Sequence, residues 1–247
     1  QDRTGQDRTG QDRTGQDRTD RTEDLKVIKI IKKNLSGVSN ISSERLLNEF
    51  QKLLESKGFF KLSKDKYCLE IINLIFPQLK NISIFNKLNS FAKKNFYKMD
   101  FIFLLSLMII DGTDNVEYFI YKFNISKKDQ KRIKNINNFY KEKINSKTFT
   151  EINMNKIFYY YGKVSTLDIL CHRMIKSKKE DDSIKELIKH FEIAEVPVMP
   201  ISADLLMKKF KIPEGKQLGK KLQMIEEEWV KNNFKISDHQ VENIVNY

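Results

Sequence analysis

Pro197-Val-Met-Pro-Ile-Ser-Ala-Asp-Leu-Leu206, then Ile212-Pro-Glu-Gly-Lys-Gln-Leu-Gly-Lys-Lys-Leu222 and Glu226-Glu-Glu-Trp229, is the stretch in which turn chemistry, helical period and charge agree. Pro200 belongs before or at the start of a helix, Ser202 is a good N-cap, and Asp204 puts a carboxylate near the first-turn N–H groups. These residues predict a short helix from Ala203 to about Phe210. Ile212-Pro213-Glu214-Gly215 then breaks the chain and starts a second helix, in which Leu218, Leu222, Ile225 and Trp229 recur at one helical period as an apolar stripe. Lys216, Lys220, Gln223 and Glu227 fall on the opposite face, with Lys221 on a flank.

Those lysines stand in the first two turns, where a cation opposes the helix macrodipole by roughly 0.3 to 1 kcal/mol and Lys216 and Lys220 repel at i,i+4. An anion would reverse that penalty. A phosphate suits the place, because free N–H groups, lysines and two glycines that allow close approach would converge on it. The competing reading is a solvated lysine face, with Gly219 serving tight helix packing.

The same stretch resembles the tail of the class II tRNA nucleotidyltransferase (CCA-adding enzyme) and bacterial poly(A) polymerase family. There a hydrophobic-Ser/Thr-Gly-x-Asp-Leu turn precedes Gly-(Ile/Val)-Pro-Pro-Gly-Pro-x-Leu-Gly-x-x-Leu and a helix ending in Glu-x-x-Trp. Ala203, Lys211, Glu214 and Lys216 depart from that pattern. A second resemblance lies at Ile41-Ser-Ser-Glu-Arg-Leu-Leu-Asn-Glu-Phe50, similar to the junction between the family's neck and body, with Ser43, Glu44, Arg45 and Glu49 matching. The resemblance implies a structural role for these four, and for Trp229, rather than chemistry. Tyr67 to Phe76, ending at Pro77, resembles a third family segment. The likeness runs over roughly residues 24 to 236.

The rest of the chain reads as helix. Nine glycines and four prolines in 247 residues, with abundant Leu, Ile, Lys and Glu, predict an all-α fold of about a dozen helices. Residues 1 to 19 repeat Gln-Asp-Arg-Thr-Gly, the last copy cut short before Asp20-Arg21-Thr22, and the stretch 1 to 23, without a hydrophobic side chain, is expected to be disordered. The first methionine is Met99, so the product is expected to start inside a longer gene. Residues 24 to 196 are expected to form a helical neck-end and body region, and 197 to 247 a helical tail.

Leu25, Ile28 and Ile31 share a helix face, Asn34 to Asn40 reads as a turn, and Gly58 to Ser63 as another. Ile82 to Tyr97 and Val116 to Phe123 continue the helices. Phe101 to Ile110 is a buried core helix, about half the roughly 20 residues a bilayer needs, so no membrane partner is expected. Asp111-Gly-Thr-Asp114 reads as a C-cap followed by an N-cap rather than a metal loop. Ser126 to Asn145 is the most basic helix: Lys127, Lys128, Lys131, Arg132, Lys134, Lys141 and Lys143 face Asp129 and Glu142, with Ile133, Ile136, Tyr140 and Ile144 as its buried stripe. Gly162 splits Thr150 to Tyr161 from Ser165 to Ile175. Ser183-Ile-Lys-Glu186 reads as a capping box for the helix that follows. Ser165, Asp168 and His172 lie on one helix and cannot converge as a triad, and Asp168 with His172 reads as an i,i+4 pair. Cys68 and Cys171 have no metal-ligand spacing and fit a reducing, cytoplasmic setting.

The formal charge is +12, but residues 1 to 24 hold five Arg against six Asp and one Glu, leaving +14 on the remainder. Such a field attracts polyanions. tRNA or another RNA is the expected partner, with Lys216, Lys220, Lys221, Lys127, Lys131 and Lys134 as candidate contacts. The resemblance implies nucleotide addition by a head domain whose Asp-x-Asp carboxylates hold Mg²⁺ and whose further motifs select CTP or ATP. No Asp-x-Asp occurs in this sequence, and Glu23-Asp24 lacks its following arginine. No catalytic residue, cofactor or metal ligand is therefore assigned to the chain. It is expected to act with a head polypeptide supplied elsewhere; the alternatives are a free-standing RNA-binding adaptor or the inert remnant of a split gene.

Overall fold

The computed structural model describes residues 26–38, 40–56, 59–142, 144, 148–177 and 179–246. The pentapeptide repeat, Leu25, Gly58, Lys143 and Asn145 lie outside them, and so do the expectations placed there. Among the described residues every regular element is a helix, and the all-α expectation holds. The chain divides into two compact units, one through Lys141 and one from Glu142.

The first unit opens with helices α1 (26–33), α2 (Leu35–Val38), α3 (Ser43–Glu55), α4 (Phe59–Leu62) and α5 (Lys66–Ile75). It continues through a 3-10 turn (Ile82–Lys87), α6 (Ser90–Asn95), a second 3-10 turn (Phe96–Lys98), α7 (Phe101–Ile109), α8 (Asn115–Lys122) and α9 (Lys127–Lys141). Its centre is α7, where all residues but Ile102 are buried. Burying a whole helix requires its terminal backbone groups to find partners away from water. At the start, Asp100 accepts from the Phe103 N–H at 2.9 Å. At the end, Asn81 donates from its backbone to the Met108 carbonyl at 2.9 Å and from its side chain to that of Ile110 at 2.6 Å. Asn115 Nδ2 donates to the Ile109 and Gln78 carbonyls, both at 2.8 Å. Rings from three elements stack beside it: Phe50 on Phe76 with centroids 4.9 Å apart, Phe76 on Phe123 at 5.6 Å.

Local competition changes several sequence expectations. The turns expected over 34–40 and 58–63 each contain a single helical turn, α2 and α4. The helix expected over Ile82 to Tyr97 is instead a 3-10 turn, α6 and another 3-10 turn, because Asn89 accepts from the Ala92 N–H at 2.9 Å and caps a fresh start in mid-segment. Asp114 makes no side-chain cap for α8; Thr113 Oγ1 takes the Asn115 N–H at 3.1 Å while Asp111 binds Thr113. In α9 the buried residues are Ile133, Ile136, Asn137 and Phe139, Tyr140 is half-buried, and Ile144 lies past the helix end.

The second unit holds α10 (Glu151–Lys176), α11 (Asp182–Ile193), α12 (Ala203–Phe210), α13 (Lys216–Lys231) and α14 (Asp238–Asn246). Gly162, at φ 78° and ψ 172°, breaks α10 into two helical segments, a conformation open to glycine and costly to other residues. α10 and α11 pack through Phe158 and Phe191, with ring centroids 5.0 Å apart. The cap of α11 is Asp181, not Ser183: Asp181 Oδ1 accepts from the Ser183 N–H at 3.0 Å, so Ser183 stands inside the first turn and the expected box does not form. Leu206, Leu218, Ile225 and Val241 build a separate apolar cluster for α12, α13 and α14.

Candidate nucleic-acid interface

Ser202 Oγ accepts from the Leu205 N–H at 3.2 Å and starts α12 as its sequence predicts. The helix stops at Lys211, which takes a left-handed conformation with φ 51° and ψ 32°. Ile212 packs into the tail cluster, and Gly215, at φ 146°, delivers the chain into α13 with no side chain capping it and no acidic residue in the first turn. Leu218, Ile225 and Trp229 are buried and Leu222 is half-buried, so the predicted stripe faces inward.

The lysines of this turn divide into different environments. Lys216 and Lys220 are exposed on the outer face of α13. Lys221 is half-buried and donates from Nζ to the Ile244 carbonyl at 2.8 Å, capping the end of α14. Lys209 lies 3.8 Å from Glu242 and 3.9 Å from Asp238, on α14, with its ammonium 5.3 Å from the Phe210 ring centroid. Lys208 and Lys211 are exposed.

Behind α13 stands a contact that the spacing of residues did not reveal. Tyr159 of α10 donates its hydroxyl to Glu226, the first residue of Glu-x-x-Trp, and its ring meets Trp229 edge to face with centroids 5.3 Å apart. Phe234 closes the cluster, 4.9 Å from Trp229 and 5.7 Å from Tyr159. Burial and the neighbouring Glu226 carboxylate push the Tyr159 hydroxyl up to a pKa of about 12. Tyr159 and Glu226 are 67 residues apart, and no local pattern links them. The only hint in the sequence was the run Tyr159-Tyr160-Tyr161.

In the first unit Lys127, Lys131 and Lys134 are exposed along α9. Two other cations of that helix are engaged: Arg132 Nη1 with Asp100 Oδ2 at 2.7 Å and Lys141 Nζ with Glu117 Oε1 at 3.2 Å. Ser126 Oγ and Asp129 bond reciprocally at its start, Ser126 taking the Asp129 N–H at 3.2 Å and donating to its carboxylate at 2.7 Å. In α3, Ser42 caps the helix, accepting from the Arg45 N–H at 3.3 Å, and Ser43 is its first residue. Glu44 and Arg45 are exposed, while Glu49 bonds Lys52 at 2.8 Å, which lowers the Glu49 pKa.

Ser165, Asp168 and His172 are all buried within α10. Burial, helped by Lys176, holds the His172 pKa well below its ordinary value and keeps the ring neutral. Among the described residues no group of His, Cys, Asp and Glu could hold a metal ion, and no helix is long and apolar enough to cross a membrane.

Residues 98–244 match the family model described as "tRNA nucleotidyltransferase domain 2 putative", and residues 24–83 match "Probable RNA and SrmB- binding site of polymerase A". No curated protein matches the chain. The first match spans more than half of the 247 residues, and the chain belongs to the tRNA nucleotidyltransferase and poly(A) polymerase family, of which it carries the helical C-terminal part. The second match lies over α1 to α5, which include the Ser43, Glu44, Arg45 and Glu49 motif.

Proposed function

We propose that this chain is the RNA-gripping body and tail of a CCA-adding enzyme or poly(A) polymerase, serving RNA 3′-end processing in the cytoplasm. The observation that carries this reading is the tandem match to an RNA-binding segment and a tRNA nucleotidyltransferase domain in one basic chain. Lys216 and Lys220, at the start of α13, and Lys127, Lys131 and Lys134 on α9 hold RNA phosphates. Phosphate contacts position an RNA without reading its bases. Nucleotide addition takes its Mg²⁺, CTP and ATP in a head domain carried elsewhere, since this sequence contains no Asp-x-Asp.

Fluorescence anisotropy with tRNA across a salt series tests the grip. Neutralising Lys216 and Lys220 to glutamine is expected to weaken binding whatever the RNA sequence. It is also expected to reduce the slope of log K against log[salt] by about 1.4 to 1.8, at roughly 0.7 to 0.9 per phosphate lost. Unchanged affinity and slope in that variant would remove α13 from the interface.

A further inference from the structure

At 100° per residue Lys127, Lys131 and Lys134 fall within an arc of about 60° on α9, opposite the buried Ile133 and Ile136. None of the three makes an ion pair among the described residues. Two other cations of α9, Arg132 and Lys141, are engaged in ion pairs with neighbouring segments. On one side Arg132, its side chain 17% exposed, binds Asp100 at 2.7 Å, two residues past the Phe96–Lys98 turn. That turn presents Tyr97, which is 80% exposed, with Lys98 Nζ 5.9 Å from its ring centroid.

On the other side Lys141 binds Glu117 of α8 at 3.2 Å, and α8 packs against α9 after a short 123–126 connection. One turn along α8 from Glu117, on the same face, stands Tyr121, which is 87% exposed. Moving back along α9 from Lys141 approaches Lys134. A single exposed tyrosine on a protein surface is ordinary. Here two of them stand on segments that ion pairs tie to α9, Tyr97 three residues before Asp100 and Tyr121 four residues after Glu117.

We infer that α9, Tyr97 and Tyr121 form a surface for unpaired RNA, with Lys127, Lys131 and Lys134 on successive phosphates and bases stacked on the two rings. The inference rests on the RNA-binding reading and adds a preference that phosphate contacts alone lack. Bases inside a duplex are already stacked and offer no face, whereas an unpaired base gains from an aromatic platform next to cations.

The test uses the full chain with two fluorescent probes, a short single-stranded oligoadenylate and a blunt-ended RNA duplex, and circular dichroism to check that each variant folds. Tyr97→Ala with Tyr121→Ala is expected to weaken oligoadenylate binding by about 5- to 160-fold per stacked base. The same variant should leave duplex binding and the salt slope unchanged, while Tyr97→Phe with Tyr121→Phe should retain the affinity. Oligoadenylate affinity unchanged in the alanine variant, or duplex affinity falling equally, would overturn the stacking surface and leave the general RNA grip standing. Failure of the unsubstituted chain to bind either probe or tRNA would remove both readings.

Discussion

Lys211 occupies a backbone conformation that a side chain resists. At φ 51° it is left-handed, a state that costs a non-glycine residue roughly 1 to 2 kcal/mol, and the related family motif has glycine at this place. Lys211→Gly should therefore stabilise the protein by about 1 kcal/mol once the greater flexibility of unfolded glycine is counted, raising the melting temperature by roughly 2 to 4 °C. Chemical denaturation would measure the gain, and a loss of stability would mean that the lysine side chain earns its place through contacts. Tyr159 makes a different residue-scale prediction. Its pKa is raised in the folded protein to about 12 from an ordinary 10, so folding favours the protonated phenol. The stabilisation is fully present below pH 10 and is lost as pH rises toward 12. Tyr159→Phe should flatten that alkaline decline in unfolding experiments and cost about 1 kcal/mol at neutral pH through the missing hydrogen bond to Glu226.

Helix α13 shows how an element can carry both roles. Its inner stripe was legible because Leu218, Ile225 and Trp229 repeat at helical period. Which lysine on its outer side is free to meet an anion was not legible, because that depends on α14, which packs from outside the motif. Lys221 and Lys220 are neighbours in sequence, yet one caps the Ile244 carbonyl and the other faces solvent. Lys221→Met, which keeps the stem and removes the donor, should loosen the end of α14. Hydrogen exchange should then speed up over 238–246 with little change in α12. Equal exchange in the variant and the parent would make the Lys221 contact dispensable. Helix starts were harder to place for a related reason. Asp181 outcompetes Ser183 and Thr113 replaces Asp114, because several capping residues stand close together and only backbone geometry selects among them.

At the scale of the whole molecule, the two compact units each close an apolar core of their own, around α7 in the first and around Phe158, Phe191 and the tail cluster in the second. A fragment of residues 142–247 should accordingly give a helical circular dichroism spectrum and melt cooperatively. A featureless spectrum would show that its core needs the first unit. The proposed division of labour with a head domain makes a further prediction. The chain with Mg²⁺, CTP, ATP and a tRNA lacking its 3′ end should add no nucleotide, and a separate polypeptide carrying the Asp-x-Asp carboxylates should restore addition. Incorporation by this chain alone would place the chemistry in residues not assigned to it.

Helix class, the helix pair at 203–231 and the family likeness followed from the sequence by itself, because a 3.6-residue period, proline and glycine breaks and capping residues act within a few positions of one another. The burial of α7 could be read the same way, from an apolar run interrupted only by Ser106. Only the tertiary structure brought Tyr159 to Glu226 and Trp229, tied Lys221 to α14, and joined Asp100 and Glu117 to Arg132 and Lys141 of α9. Those contacts join residues that no local period relates, and they depend on which faces remain once each core has closed.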